Sequence, residues 1–282
     1  MTNGNPRYII EVTNEGELTV MQKIGIIFDT CREIGDAERV RLMQKHGFST
    51  TFLMSDDPLM PERIARFREA DIVCETCHAP FDGINCMWYP TTAGDEMLSR
   101  LTSGVENCAR YEIPVIVVHL SSGENPPHIG DVGCDRFDRL LARAREVGVQ
   151  VAFENQRKLG NIAHAFEQYP DAGFCFDTGH EACFTPGREY MPLFGDRTVA
   201  LHLHDNSAEY NADDHILPYD GKVDLERCAR QLAASPYDRS MMSESFKTAR
   251  YSHLTPDEYY ARAAAAIRRF ADRVEYYRGE AK

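Results

Sequence analysis

The run VQVAFE at Val149–Glu154 alternates strictly, with Val149, Val151 and Phe153 on one face and Gln150, Ala152 and Glu154 on the other. Successive side chains of a strand point to opposite faces, so one face is large and apolar while the smaller face ends in a carboxylate. The same phase recurs. In Pro114–His119, Ile116 and Val118 oppose Val115, Val117 and His119. In Gly173–Asp177, Phe174 and Phe176 oppose Cys175 and Asp177. In Val199–His204, Leu201 and Leu203 oppose Ala200, His202 and His204. The large face should meet helices, and the small face should line an interior that carries an ionisable group at one end.

Outward from these runs, further strand-like stretches lie at Lys23–Phe28, Ser49–Leu53, Ala70–Cys74 and Ser240–Glu244. Helix-like stretches such as Met97–Tyr111, Arg136–Val147 and Asp224–Leu232 separate the strands. This alternation predicts βα units and a parallel sheet. Eight strands in 282 residues favour a closed (β/α)8 barrel of the α/β class over an open doubly wound sheet. No Gly-rich dinucleotide fingerprint follows the first strand, which also weighs against the open sheet. No internal repeat or interdomain linker interrupts the pattern, so residues 1–282 are expected to form one barrel domain. The last helix is announced by Thr255-Pro256-Asp257-Glu258: a capping threonine, a proline at the first helical position and a glutamate three residues after the cap. Tyr259, Ala263, Ile267, Phe270, Val274 and Tyr277 then give one apolar face. The first 21 residues read as an appended hairpin, Tyr8–Val12 and Leu18–Met21 around Asn14-Glu15-Gly16, expected to cap the barrel bottom.

With 43% hydrophobic residues the chain can bury a sizeable core. A formal net charge of -13 disfavours a broad nucleic-acid surface. The start shows no basic region followed by an apolar run, and no stretch approaches the roughly 18 apolar residues of a membrane span. Nine scattered cysteines read as reduced thiols of a cytoplasmic protein. Cys74-x-x-Cys77 lacks a second pair and reads as packing.

The period-two phase places His119, Glu154, Asp177 and His202 on the inner side of one barrel mouth, the end at which barrel active sites lie. Buried carboxylates need cations or donors to offset desolvation. Mixed with neutral imidazoles, they are most simply satisfied by a divalent metal: zinc for histidine-rich ligation, manganese or magnesium for a carboxylate-dominated site.

These residues also carry a family resemblance. FEN at Phe153–Asn155, FCFDTGH at Phe174–His180, LHLHDN at Leu201–Asn206, DDHILPYDG at Asp213–Gly221 and SES at Ser243–Ser245 occur in the order of the xylose isomerase-like barrel superfamily. That group includes sugar phosphate isomerases and epimerases, inosose-processing enzymes and endonuclease IV. The resemblance implies a shared metal site at Glu154, Asp177, His202 and Glu244. It implies that His180 contacts substrate, as in the epimerases, or a metal, as in endonuclease IV. His78, His119, Asp213 and His215 match the further ligands of the endonuclease's trinuclear zinc site. Pro218-Tyr219-Asp220-Gly221 departs from the Pro-Gly-x-Gly of many members, so the loop there is expected to be shaped differently.

Trp88 is a candidate wall for a sugar ring. Asn155, Arg157 and Lys158, at the end of the fifth strand, are candidate substrate contacts; the two cations suit a phosphate or carboxylate. His164 and His253 lack the strand-end setting of a ligand. The leading expectation is a metal-dependent isomerase or epimerase of a small sugar or polyol. Glu154 and Glu244 would exchange a proton with the substrate while His180 orients it. The alternative is an endonuclease IV-like zinc phosphodiesterase acting on abasic-site DNA. A non-catalytic sugar- or metal-binding barrel is the third. No membrane partner is expected, and a homo-oligomer is compatible with the sequence.

Overall fold

In a computed structural model, residues 8–12 and 18–280 are described. Two antiparallel strands, β1 (Tyr8–Val12) and β2 (Leu18–Gln22), form the expected hairpin; its Asn14-Glu15-Gly16 turn lies outside the described residues. Lys23 leads directly into β3 (Ile24–Ile26), so the hairpin hangs from the end of the barrel opposite the carboxylates. There the Tyr8 hydroxyl donates to Glu275 Oε2 at 3.1 Å.

The barrel then follows the chain: α1 (Asp36–Lys45), β4 (Thr50–Met54), α2 (Met60–Glu69), β5 (Val73–His78), α3 (Thr92–Arg110), β6 (Val115–Val118), α4 (Asp131–Val147) and β7 (Gln150–Glu154). It continues through α5 (Leu159–Gln168), β8 (Gly173–Asp177), α6 (Thr178–Phe184), α7 (Met191–Phe194), β9 (Thr198–His202), α8 (Leu225–Ala233), β10 (Met241–Ser243) and α9 (Pro256–Glu280). All eight barrel strands pair in parallel in the order β10-β3-β4-β5-β6-β7-β8-β9. A parallel bridge from Leu203 to Ser243 brings the two ends of this sheet together, giving a (β/α)8 barrel.

The alternation at the strands sorts the core into two parts. Ile116, Val118, Phe153, Phe174, Phe176 and Leu201 join the large cluster between strands and helices. Val115, Val117, Ala152, Cys175 and Ala200 form a separate small cluster inside the barrel. Each fully buried phenylalanine contributes about 1.5–3 kcal/mol through lost water contact. The small inner side chains fill the barrel below the ionisable groups. The last helix caps as expected: Glu258 N–H donates to Thr255 Oγ1 at 3.3 Å, and Thr255 N–H donates to the Glu258 carboxylate at 2.8 Å.

One strand lies elsewhere than expected. Ala70–Cys74 reads as strand, but Ala70 caps α2, Asp71 has φ 54° and β5 begins at Val73. The pairing with β4 steps from Thr51↔Cys74 to Phe52↔Thr76, leaving Glu75 in a bulge. The Glu75 carboxylate accepts from the Ser240 hydroxyl at 2.5 Å, and burial raises its pKa. A buried acid at a bulge interrupts the apolar alternation on which the reading relied.

Candidate metal centre

Every strand from β7 to β9 delivers its terminal side chain to one place. Glu154 and Asp177 end β7 and β8, His202 ends β9, and Glu244 follows β10. Their donor atoms all lie within 4.8 Å of one another. His202 Nδ1 stands 2.5 Å from Glu154 Oε1 and 3.1 Å from Glu244 Oε2. His78, moved onto the end of β5 by the shifted strand, joins His119 and Glu154 in a second group. Its Nε2 is 3.6 Å from Glu154 Oε2, which His119 Nε2 also contacts. A third group comprises His180, His204, Asp213 and His215. His180 Nε2 and His215 Nε2 approach Asp213 Oδ2 at 3.3 and 3.2 Å. All nine residues singled out as ligands therefore meet at the carboxyl ends of the strands, and Glu154 belongs to the first two of these groups and, with Cys175 and His202, to a further one.

Local structure explains the placement. Asp177 is both the end of β8 and the N-cap of α6, its Oδ1 accepting from His180 N–H at 2.6 Å. That bond turns the chain so that His180 comes back over the site. The Asn155 side chain clamps Asp177 from the neighbouring strand, donating to its carbonyl and accepting from its N–H, each at 2.8 Å. Asn155 thus holds the centre's geometry from a buried position outside the cavity wall. In the loop after β9, His215 sits at φ 46°, a strained conformation for a residue with a Cβ. Phe246 N–H donating to its carbonyl at 2.9 Å, and its own Nδ1 at 2.8 Å from the Glu244 carbonyl, hold it there.

The electrostatics mark a charge-dense, water-poor centre. Burial alone would push Glu154 up, but His202, His119 and His180 hold it well below the usual carboxylate range. Burial likewise opposes ionisation of Glu244, yet His202 and His215 bring it down to about 2. Burial disfavours the charged form of His180, but Asp177, Glu154 and Asp213 outweigh it and push its pKa up to about 10. At His119 burial wins and the pKa falls. His119 Nδ1, His202 Nε2 and Asp213 Oδ1 are buried without a hydrogen-bond partner among the described residues. Unpaired buried donors and acceptors beside crowded carboxylates are what a divalent cation resolves, so the donor set fits a metal.

The cavity above these groups has a volume of about 210 Å³ and is lined by His78, His119, Glu154, His180, Asp213, His215 and Glu244, with Phe81, Ser122, Gln156, Arg157 and Phe184. Trp88 is not among its walls. Its indole is buried against Phe137, and Nε1–H donates to the Leu120 carbonyl at 2.7 Å. Lys158 is exposed at the start of α5 and also stays outside, whereas Arg157 lines the wall. The apolar wall is instead Phe81, its ring stacked on His119 at 4.9 Å, a residue that no strand pattern marks. Gln156, between His119 and His180, escaped the reading for the same reason. His204 escaped it although the period-two phase from His202 reveals it. It is fully buried, its Nε2 lies 3.0 Å from Asp177 Oδ1 and its ring stacks on His215 at 4.1 Å.

Among known proteins, an uncharacterized protein y4fM from Sinorhizobium fredii (strain NBRC 101917 / NGR234) is 30% identical over 197 residues. That match covers 64% of this chain and 62% of the relative's length. Similar solved structures include a D-tagatose 3-epimerase-like protein with TM-score 0.70 and 16% identity, covering 93% of this chain and all (100%) of that one. They include YcjR, a 3-keto-D-glucoside 4-epimerase from E. coli, with TM-score 0.69 and 17% identity, covering 88% of this chain and 100% of that one. The IOLI protein with a bound zinc atom aligns with TM-score 0.71 and 16% identity over 91% of this chain and 99% of its own. At such identities the likeness concerns the fold. The family description "Xylose isomerase-like TIM barrel" matches residues 28–270, and the chain belongs to that family.

Proposed function

We propose that this protein is a divalent-metal-dependent isomerase or epimerase of a small sugar or polyol. The observation that carries the reading is the placement of Glu154 and Glu244: both approach His202, and both line the same cavity of about 210 Å³. Sites for drug-sized ligands run to roughly 300–1,000 Å³, so this one suits a smaller molecule, and its polar walls suit a polyhydroxylated one. The sugar epimerases among the similar folds, and the zinc of IOLI, support the same direction.

Glu154, Asp177, His202 and Glu244 are the residues that would hold the ion. Bound there, a divalent cation supplies Lewis acidity to a carbonyl oxygen and acidifies the neighbouring C–H. Glu154 and Glu244, which line the cavity on either side of His202, would be the groups to accept that proton. One removes it and the other returns it to the same carbon from the opposite face or, in an isomerisation, to the adjacent carbon. His180, which lines the same cavity, would orient a substrate hydroxyl. Phe81 covers the imidazoles and excludes water from the reacting carbons.

The test is proton exchange. Manganese- or zinc-loaded protein, incubated in heavy water with a panel of ketoses and keto-polyols, should place deuterium on the carbon beside the carbonyl. Glu154→Gln and Glu244→Gln should each slow exchange by about 100-fold or more while the circular dichroism spectrum is unchanged. Undiminished exchange in both variants would sink the acid–base assignment.

A second reading has one specific observation in its favour. The His78–His119–Glu154 group and the His180–His204–Asp213–His215 group add donors beyond those one ion needs. Several ions in one centre suit hydrolysis of a phosphodiester, as at an abasic site in DNA. The small cavity and the net charge of -13 favour the sugar reading. Nicking of an abasic-site duplex by the zinc-loaded protein would reverse that order.

A further inference from the structure

We propose that Arg157 is an anion-binding residue of this cavity, and that the substrate carries a phosphate or carboxylate group away from its reacting carbons. The proposal deepens the sugar reading, on which it rests, by naming the substrate class.

Arg157 follows the end of β7 by three residues and lines the cavity that holds Glu154 and Glu244. Its guanidinium carbon lies over the Phe184 ring, 3.5 Å from the centroid. Its Nε–H donates to Asn211 Oδ1 at 3.1 Å. Asn211 is itself fixed. It occupies the left-handed region at φ 62°, its N–H donates to the Cys183 carbonyl at 3.0 Å, and its side-chain amide is engaged by Glu124. Three chain segments therefore hold one guanidinium in place.

The ring contact and the Nε bond consume one of its five N–H groups. Both terminal nitrogens have no partner among the described residues. Four other arginines are paired by carboxylates instead, whereas Arg197 and Arg268 each spend a terminal nitrogen on a backbone carbonyl. Arg39 and Arg63 meet Asp29 and Asp36, Arg136 meets Asp95, and Arg227 meets Glu181. With 44 acidic against 31 basic residues, carboxylates to pair an arginine are plentiful, yet none pairs this one. Ser122 lines the same cavity. Asn85 clamps its backbone on both sides at 2.9 Å, and its hydroxyl has no partner among the described residues. Lys158, the other cation of the segment, is exposed and outside the cavity.

A planar fork with two free NH2 groups is the geometry that takes two oxygens of a phosphate or carboxylate at once. Because the Phe184 ring and Asn211 already restrict it, little side-chain freedom is lost on binding. The imidazole-rich side of the cavity handles the carbonyl end, and Arg157 selects what the other end carries.

Calorimetry on the zinc-loaded protein with D-ribose, D-ribose 5-phosphate, D-glucose and D-glucuronate tests this without needing turnover. Wild type should bind one charged sugar about ten-fold or more tightly than its neutral counterpart, and the pair that shows this identifies phosphate or carboxylate. Arg157→Gln should bring the two members of that pair within about two-fold of each other, and Arg157→Lys should restore part of the gap. Equal affinity of charged and neutral sugars in wild type, no detectable binding of any of the four, or a preference that survives in Arg157→Gln overturns the proposal; the last outcome assigns the anion to the metal. A preference that depends on Arg157, without deuterium exchange on any ketose, instead overturns the isomerase reading and leaves the anion site standing.

Discussion

The inner and outer donor groups of this centre are built differently. Glu154, Asp177 and His202 end barrel strands, and Glu244 directly follows one; their side chains are 1%, 0%, 1% and 13% exposed. The outer group takes Asp213 and His215 from a long loop, and those side chains are 27% and 21% exposed. A strand end is fixed by two ladders of hydrogen bonds, so the inner geometry exists before any ligand arrives. The outer geometry depends on side chains holding one another and on a backbone kept at φ 46°. The inner group is therefore expected to bind its ion first and to set the chemistry, and the outer group to follow.

Two variants measured side by side break or sharpen this contrast most strongly. Asp177 faces both groups: His204 at 3.0 Å, His180 at 3.7 Å and His202 at 4.0 Å. Asp177→Ala should empty the inner group, leave buried imidazoles without their carboxylate, and lower exchange activity by about 1,000-fold or more. His215→Ala should remove one loosely held equivalent of metal and change exchange by no more than about ten-fold. Elemental analysis after gel filtration, with the exchange assay, reads both. Equal loss in the two variants would mean that the outer group is part of the reacting site.

The same contrast decided what the sequence could disclose. Period-two alternation exposes a residue at a strand end, because its phase follows from apolar neighbours; that is how His119, Glu154, Asp177 and His202 became legible. It fails where a strand carries buried polar residues, as β5 does at Glu75 and Thr76, which concealed the strand that delivers His78. It is silent in loops. Asp213 and His215 were reached through the family's motif order alone, and Phe81 and Gln156 by neither route. His204 shows a different failure: its phase was visible, but no ligand set asked for it. Trp88 shows the converse, since an aromatic residue beside a site is just as well used in the core, where its N–H finds a carbonyl.

A smaller effect follows from pH in the metal-free protein. Burial opposes the charged forms of His180 and His215, but nearby carboxylates raise their pKa values to about 10 and about 9. A raised histidine stabilises the fold fully below its unfolded value of 6.5 and loses that contribution as pH rises through the folded value. Glu244, lowered to about 2, contributes above 4.5 and loses its contribution as pH falls towards 2. The metal-free protein should therefore be most stable between roughly pH 4.5 and 6.5 and weaken on the alkaline side. A bound ion needs neutral imidazoles, so loading removes that alkaline loss. The melting-temperature gap between loaded and metal-free protein should widen from about pH 6 to about pH 9. A gap that narrows over that range would show that protonated imidazoles do not hold the metal-free centre together.

The finest probe of the outer group is a methyl. Gly179 lies between Thr178 and His180 in α6, and a Cβ there would fall 1.9 Å from the His204 ring. The ring cannot retreat freely, because it stacks on His215 on its other side and its backbone N–H is bonded to Thr178 Oγ1 at 3.1 Å. Gly179→Ala should cost about 1–3 kcal/mol in urea unfolding, the usual range for overpacking. It should also push His204 away from Asp177 and weaken metal retention at the outer group more than at the inner one. The inner ion would be held by Glu154, Asp177, His202 and Glu244, whereas the added Cβ meets the His204 ring first, so the inner affinity should stay within about three-fold. Should the inner ion be lost as readily as the outer, Asp177 owes its orientation to His204, and the two groups are one unit that the strands alone do not fix.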